Sequence, residues 1–253
     1  MSTAPIALQL YTLRFVSESM DAILAHAAAA GYRGVETAGT KGLAAAELAD
    51  LLQKHSLEAA SMHTGVAALA EDVAGQIAYA QALDCGYLTI SSIPQDARPT
   101  DAAGWQALGQ QFGEYGAACA QAGIRLCYHN HDFEFARVEG RYALEWMLDA
   151  APDTLHWQPD LAWVTRGHAD PLAMLEQYAG RCPLIHVKDL HPNGQGEDEK
   201  GFADVGYGIM DWDALLPAAA KAGAVWYIVE HDLPAEPIRT IQRSYTYLAE
   251  KLG

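Results

Sequence analysis

Short runs of apolar, β-branched and aromatic residues recur along the chain, separated by longer alanine-rich stretches whose apolar positions return at helical spacing. The runs cover residues 6–11, 34–37, 57–63, 87–91, 124–130, 155–160, 184–188 and 225–230, eight in all. The stretches between them include 20–30, 44–55, 73–83, 105–122, 142–151 and 213–222. Ala30-Gly31, Ala122-Gly123 and Ala222-Gly223 stand where a left-handed cap would turn a helix back into a strand. Strand and helix therefore alternate eight times, which fits a closed parallel α/β barrel. A doubly wound sheet has fewer strands and a Gly-rich phosphate turn after the first, and no G-x-G-x-x-G follows residues 6–11. The expected fold is a single (β/α)8 TIM barrel, one domain over 1–253, since no linker or low-complexity tract divides the chain.

Composition narrows the function classes. Half the residues (51%) are hydrophobic, enough for a large core, and 32 acidic against 16 basic side chains give a net charge of −16. That charge repels phosphodiester backbones and anionic membranes, so neither a nucleic acid nor a membrane is the expected partner. There is no basic, apolar leader at the start and no run of eighteen apolar residues. Cys85, Cys119, Cys127 and Cys182 show no C-x-x-C spacing, so they read as reduced, buried thiols of a cytoplasmic protein. The polar, glycine-rich stretch 190–210 reads equally as a loop closing over the barrel mouth or as a solvated surface loop.

In a barrel, chemistry comes from the C-terminal ends of the strands. Here the second run ends at Glu36, the third at His63 and the fifth at His129-Asn130-His131, with Glu134 just beyond. The sixth ends at Asp160, the seventh at His186 and Lys188, and the eighth at Glu230-His231-Asp232. Side chains alternate along a strand, so Gln158 and Asp160 share a face, as do His186 and Lys188, and as do Ile228 and Glu230. Asp160, His186 and Glu230 thus point into one mouth from three successive strands. Singly each has a packing role: Asp160 suits a cap for 161–166, and Glu230 a partner for Lys188 or Arg239. Jointly, clustered carboxylates with an imidazole repel one another without a cation, and they suit a hard divalent ion.

The segments YHNHDFEF (128–135), HWQPDLAWV (156–164), PLIHVKD (183–189), GYGIMDW (206–212) and WYIVEHD (226–232) resemble the xylose-isomerase-like barrel superfamily of sugar-phosphate isomerases and epimerases. That superfamily also holds inosose isomerases and dehydratases and an apurinic endonuclease branch, and the likeness runs nearly end to end. The resemblance implies four metal ligands, Glu134, Asp160, His186 and Glu230. Many relatives place the fifth-strand ligand at the strand end itself, nearer His129 here, so His129 and His131 stand as alternatives to Glu134. The endonuclease branch carries a further His three residues after the sixth-strand Asp, where this chain has Trp163, so one ion rather than three is expected. Mn²⁺ is the first choice, with Mg²⁺, Co²⁺ or Zn²⁺ as alternatives.

The expected activity is metal-dependent isomerisation or epimerisation of an unphosphorylated keto sugar or related polyol through an ene-diolate. Glu134 or Glu230 would move the proton, with His131 as the alternative base. Lys188 would either stabilise negative charge on oxygen or pair with Asp160 or Glu230. Glu36, His63 and His129 would hold substrate hydroxyls, while Tyr11, Trp163 and Phe133 would form apolar walls. Two other outcomes fit the same residues: elimination from an inosose or 3-keto-glycoside, and a non-catalytic sugar-binding subunit. A homo-oligomer is compatible with the sequence.

Overall fold

The strands begin and end almost where alternation places them. A computed structural model describes residues 4–253, and residues 1–3 lie outside it. The barrel strands are β1 (Ile6–Gln9), β2 (Gly34–Ala38), β3 (Glu58–Thr64), β4 (Tyr87–Ile90), β5 (Arg125–His129), β6 (Leu155–Gln158), β7 (Leu184–Val187) and β8 (Trp226–Val229). All pair in parallel, in the order β6-β5-β4-β3-β2-β1-β8-β7. The ring closes between β6 and β7 through a single parallel bridge, Asp160 to His186, with His186 N donating to Pro159 O at 2.9 Å. This is the TIM barrel that the sequence pattern predicts.

The outer layer is α1 (Met20–Ala30), α2 (Ala45–Lys54), α3 (Val66–Ala82), α4 (Ala102–Gln121), α5 (Ala143–Asp149), α6 (Leu161–Arg166), α7 (Pro171–Gln177), α8 (Trp212–Lys221) and α9 (Pro237–Leu252). Gly31, Gly123 and Gly223 take positive φ of 104°, 76° and 104°, as the cap reading requires. α3 starts seven residues before the expected 73, because the backbone breaks at Asp72 (φ −153°, ψ 77°) and its side chain accepts from Gly75 N at 2.8 Å. Two helical segments thus meet at an internal cap. α4 lies against α5 and the segment after it through glycines: a Cβ at Gly109 would collide with Met147 O, and one at Gly116 with Thr154 O just before β6.

The barrel floor is apolar, formed by Ala7, Ala60, Cys127, Leu184 and Ile228. A separate core between strands and helices buries Leu8, Val35, Leu88, Leu126, Tyr128, Trp157, Ile185 and Val187. Emptying one such position, as in Trp157→Ala, costs about 3–5 kcal/mol. Above the floor the barrel changes character and becomes polar.

The stretch 190–210 is a tied strap. Asp189–Leu190 pairs antiparallel with Phe202–Ala203. The buried Asp189 carboxylate accepts from Leu190 N (2.8 Å), Gly206 N (2.9 Å), Met210 N (3.0 Å) and Trp212 Nε1 (2.9 Å). Four donors on one carboxylate fix both ends of the strap to the end of β7. Among the described residues no helix is long and apolar enough to cross a membrane.

Candidate active site

Glu36 is the hub of the polar layer. Glu36 pairs in register with Gln9 of β1 and alternates with the outward Val35, so its carboxylate faces inward, where it has no exposure. Oε1 accepts from Gln158 Nε2 at 2.6 Å, and Oε2 accepts from Gln9 Nε2 at 2.6 Å and from His186 Nε2 at 2.6 Å. His63 Nε2 lies 3.0 Å from the same oxygen and 2.9 Å from Gln158 Oε1. Burial alone would raise the Glu36 pKa, but the imidazoles of His63 and His186 outweigh it and hold the carboxyl well below its usual range. Glu36 therefore lies under the mouth with both oxygens engaged. It is not among the residues lining the cavity above, where substrate hydroxyls were expected to meet it, and its hydrogen bonds orient His186 and His63.

With His186 Nε2–H donating to Glu36, Nδ1 faces the opposite way, 3.0 Å from Glu230 Oε2 and 3.9 Å from Asp160 Oδ2. One donor atom each from His129, Asp160, His186 and Glu230 lies within 4.8 Å of the others, and all four residues are buried. His63, His129 and His186 form a second such group that shares two members with the first. His129 Nδ1 is buried without a hydrogen-bond partner. Burial would lower the His186 pKa, but Glu36 and Glu230 push it up to about 10. A site that draws a proton onto a buried imidazole is short of positive charge. Two imidazoles and two carboxylates around that deficit fit a divalent ion, and the Glu36–His186 pair is the carboxylate–histidine support such ligands usually have.

Lys188 supplies the positive charge that the protein itself provides. Its side chain is 1% exposed, and Nζ lies 2.8 Å from Asp160 Oδ2, 2.7 Å from Glu230 Oε2 and 2.7 Å from Asp232 Oδ1. Burial opposes the ammonium, yet the carboxylates of Asp160, Asp232 and Glu230 prevail and hold its pKa well above the usual lysine range. The Trp163 and Phe202 rings lie over Nζ at 5.5 and 5.2 Å. Of the two roles read from sequence, ion pairing is the one this geometry serves. Trp163 accordingly roofs Lys188 and packs on His131, with ring centroids 5.3 Å apart, rather than lining the mouth.

Glu134 does not join the donor group. Successive residues of a strand face opposite sides, so Tyr128 turns outward to the helices and His129 inward. Glu134 belongs to the outer side: Oε1 accepts from Tyr128 OH at 2.5 Å and Oε2 from His131 N at 2.9 Å. Burial pushes its pKa up to about 7 despite these donors. The fifth-strand position among the four is His129, which shares the inward parity of Cys127 on the barrel floor. Asn130 ties this strand end to the next, accepting from Asp160 N and Trp157 Nε1, both at 3.0 Å, on its Oδ1.

Above the cluster opens a cavity of about 410 Å³ lined by Tyr11, Ala38, Gly39, His63, Thr64, Gly65, Ser91, Ser92, His129, His131 and Glu230. His63, His129 and Tyr11 are thus brought together at the mouth. His131 Nδ1 is buried and unpartnered, and burial holds the His131 pKa down at about 4, so the ring is neutral near pH 7. Phe133 stacks on His131 (5.9 Å) beneath the Arg98 guanidinium and stays outside the cavity lining.

The sequence profile of the xylose isomerase-like TIM barrel family matches residues 24–251. The chain belongs to this family. Family membership agrees with the strand-end motifs and with eight parallel strands carrying polar groups at one rim. Among solved structures, the fold is similar to a sugar phosphate isomerase/epimerase from Parabacteroides distasonis, at 22% identity over 98% of this chain and 94% of that one, with a TM-score of 0.79. It is also similar to the IOLI protein with a binding zinc atom, at 15% identity, 98% and 99% coverage and a TM-score of 0.75. A third similar structure is the probable 3-DHS dehydratase AsbF of petrobactin synthesis from Bacillus anthracis, at 12% identity, 96% and 98% coverage and a TM-score of 0.75. These likenesses show the fold. No curated protein sequence matches the chain.

Two groups escaped the sequence reading. Gln9, at the end of β1, carries the same inward parity as Ala7, and an amide at the end of an apolar strand was the available signal. Asn130 lay inside a recognised motif, but its role needs the β5–β6 neighbourhood that sequence does not give.

Proposed function

We propose that the chain is a divalent-metal-dependent isomerase or epimerase acting at a carbon beside a carbonyl in an unphosphorylated keto sugar or related polyol. The observation carrying this reading is the buried group His129, Asp160, His186 and Glu230, opening onto a cavity that a neutral His131 also lines. These four residues are the proposed ligands, with His129 in the place first assigned to Glu134. Bound there, the ion would act as a Lewis acid on the substrate oxygens. Two nitrogens in the set favour Zn²⁺ or Co²⁺ more than the Mn²⁺ expected for a carboxylate-rich site.

His131 and Glu230 reach the cavity from β5 and β8 and serve as the two proton-handling groups. Neutral His131, with a free Nδ1, can accept a proton and return it. Glu36 keeps His186 in one tautomer, and Asn130 holds the backbone of Asp160. His63, Ser91, Ser92 and Thr64 offer hydrogen bonds to hydroxyls, and Tyr11 offers a ring face. Among the described residues no Arg or Lys lines the cavity, which supports a substrate without phosphate. Four free, buried cysteines support the cytoplasmic setting that belongs to this proposal.

The test is deuterium incorporation from heavy water into a panel of keto sugars and an inosose, read by NMR and mass spectrometry. Exchange at the carbon beside the carbonyl, abolished by metal removal, is expected. Loss of water from a substrate would reassign the chain to elimination. No exchange with any member, despite substrate binding, would indicate the sugar-binding role and overturn the enzyme reading.

A further inference from the structure

Lys188 stands where it must share oxygens with any incoming ion. Two of its three contacts, Asp160 Oδ2 at 2.8 Å and Glu230 Oε2 at 2.7 Å, are to proposed ligands, and the third, Asp232 Oδ1 at 2.7 Å, is to a carboxylate outside the donor group. Asp232 lies on the turn after β8 and is 18% exposed, whereas Asp160 and Glu230 are 0% and 6% exposed. The three contacts therefore run from the buried donor group outward. Trp163 and Phe202 close over the ammonium, so it cannot exchange its carboxylates for water.

We propose that Lys188 is a resident counter-ion that holds Asp160 and Glu230 in ligand positions in the metal-free protein, and that Asp232 draws it back when the ion takes the same oxygens. This rests on the metal-binding reading above. Three carboxylates around one ammonium leave surplus negative charge for the ion. With Asp232 present, Lys188 keeps a partner after Asp160 and Glu230 turn to the metal. Without it, the ammonium would have to stay on the ligand oxygens or be left buried and unpaired. Asp232 is thus a positioning residue that sets metal affinity through Lys188.

The test is titration of Co²⁺ into metal-stripped full-length protein, with affinity read by calorimetry and by the visible absorption of the bound ion. Metal-free melting is measured alongside. Lys188→Met keeps the stem under Trp163 and Phe202 and removes the charge. It should lower the metal-free melting temperature, yet tighten Co²⁺ binding by on the order of tenfold. Asp232→Asn should weaken Co²⁺ binding, also by on the order of tenfold. In the Lys188→Met background, Asp232→Asn should change affinity less than about twofold, because Asp232 acts through the ammonium.

Looser or unchanged Co²⁺ binding in Lys188→Met overturns the proposal, as does a full Asp232 effect in the double variant. Should Lys188→Met fail to fold, Asp232→Asn decides alone, and unchanged or tighter binding overturns the proposal. Wild-type protein that takes up no Co²⁺ overturns the metal reading and this inference together. Uptake with unmoved variants overturns this inference only.

Discussion

The two halves of the barrel rim are built from different chemistry. The β5–β8 half contributes His129, His131 and Glu230 to the cavity, with Asp160, His186 and Lys188 directly beneath. The β1–β4 half contributes Tyr11, Ala38, Gly39, His63, Thr64, Gly65, Ser91 and Ser92, and its buried carboxylate Glu36 is bound downward to the other half. Charge is concentrated where bonds are proposed to change, and small neutral groups lie where the rest of a substrate would sit. Binding and chemistry are therefore separable by mutation, and each half predicts a distinct kinetic signature.

The largest effects belong to the charged half. Asp160→Asn keeps the cap that Oδ1 forms with Trp163 N at 3.0 Å but removes the charge of a proposed ligand. Proton exchange should fall to background, and the protein should no longer be stabilised by added metal. In the wild type, that stabilisation reaches about 4 kcal/mol when free metal is a thousand times Kd, and a chelator should remove it. An unchanged melting temperature after chelation would break the comparison at its root.

His129 and Glu134 come next, because sequence and structure assign them opposite roles. His129→Asn should weaken metal binding by on the order of a hundredfold, whereas Glu134→Gln should leave it within about twofold. Glu134 should instead show itself in stability. Its carboxyl pKa is raised on folding to about 7, so the favourable protonated state is fully present below about pH 4.5 and is lost as pH rises through 7. Denaturation of Glu134→Gln against wild type should therefore turn in the variant's favour by on the order of 1–2 kcal/mol between pH 5.5 and 8. A pH-independent difference would show that Glu134 is not the buried, proton-holding group described above.

Glu36→Gln tests the link between the halves. It should weaken metal binding by about 10–100-fold through loss of His186 orientation, while KM for substrate moves little. The smallest effect is expected in the neutral half. Ser92→Ala should raise KM by about threefold to tenfold, the worth of one hydrogen bond of about 1 kcal/mol, with kcat unchanged. A kcat loss from Ser92→Ala equal to that from Asp160→Asn would erase the distinction.

Most of the barrel was legible because a period of two and a helical period of 3.6 leave different marks, and the mouth follows from strand order. Asp160, His186 and Glu230 were legible for the same reason, each two residues beyond an inward position. Glu134 lies past the strand end, where parity no longer applies and the 3-10 turn Phe133–Phe135 carries its carboxylate back to Tyr128. Parity alone would have favoured His129, two residues from Cys127. The downward role of Glu36 depends on Gln9, Gln158 and His186 from three other strands, which no local pattern announces, and α6 and α7, helices of six and seven residues, barely express a period.

The single bridge between Asp160 and His186 gives the barrel a seam. Every other neighbouring pair of strands is joined by three or more register pairs, whereas here the strands share one, between two of the proposed ligands, with one further backbone bond below it from Trp157 N to Arg181 O at 2.9 Å. An ion held between those two ligands would act as the clasp of a bracelet, and the joint should be the first to part when it is removed. The amide of His186, bonded to Pro159 O across the seam, is the natural sentinel. Its hydrogen-exchange protection should collapse on chelation while that of Leu8 and Leu126, deep in the unbroken arc, persists.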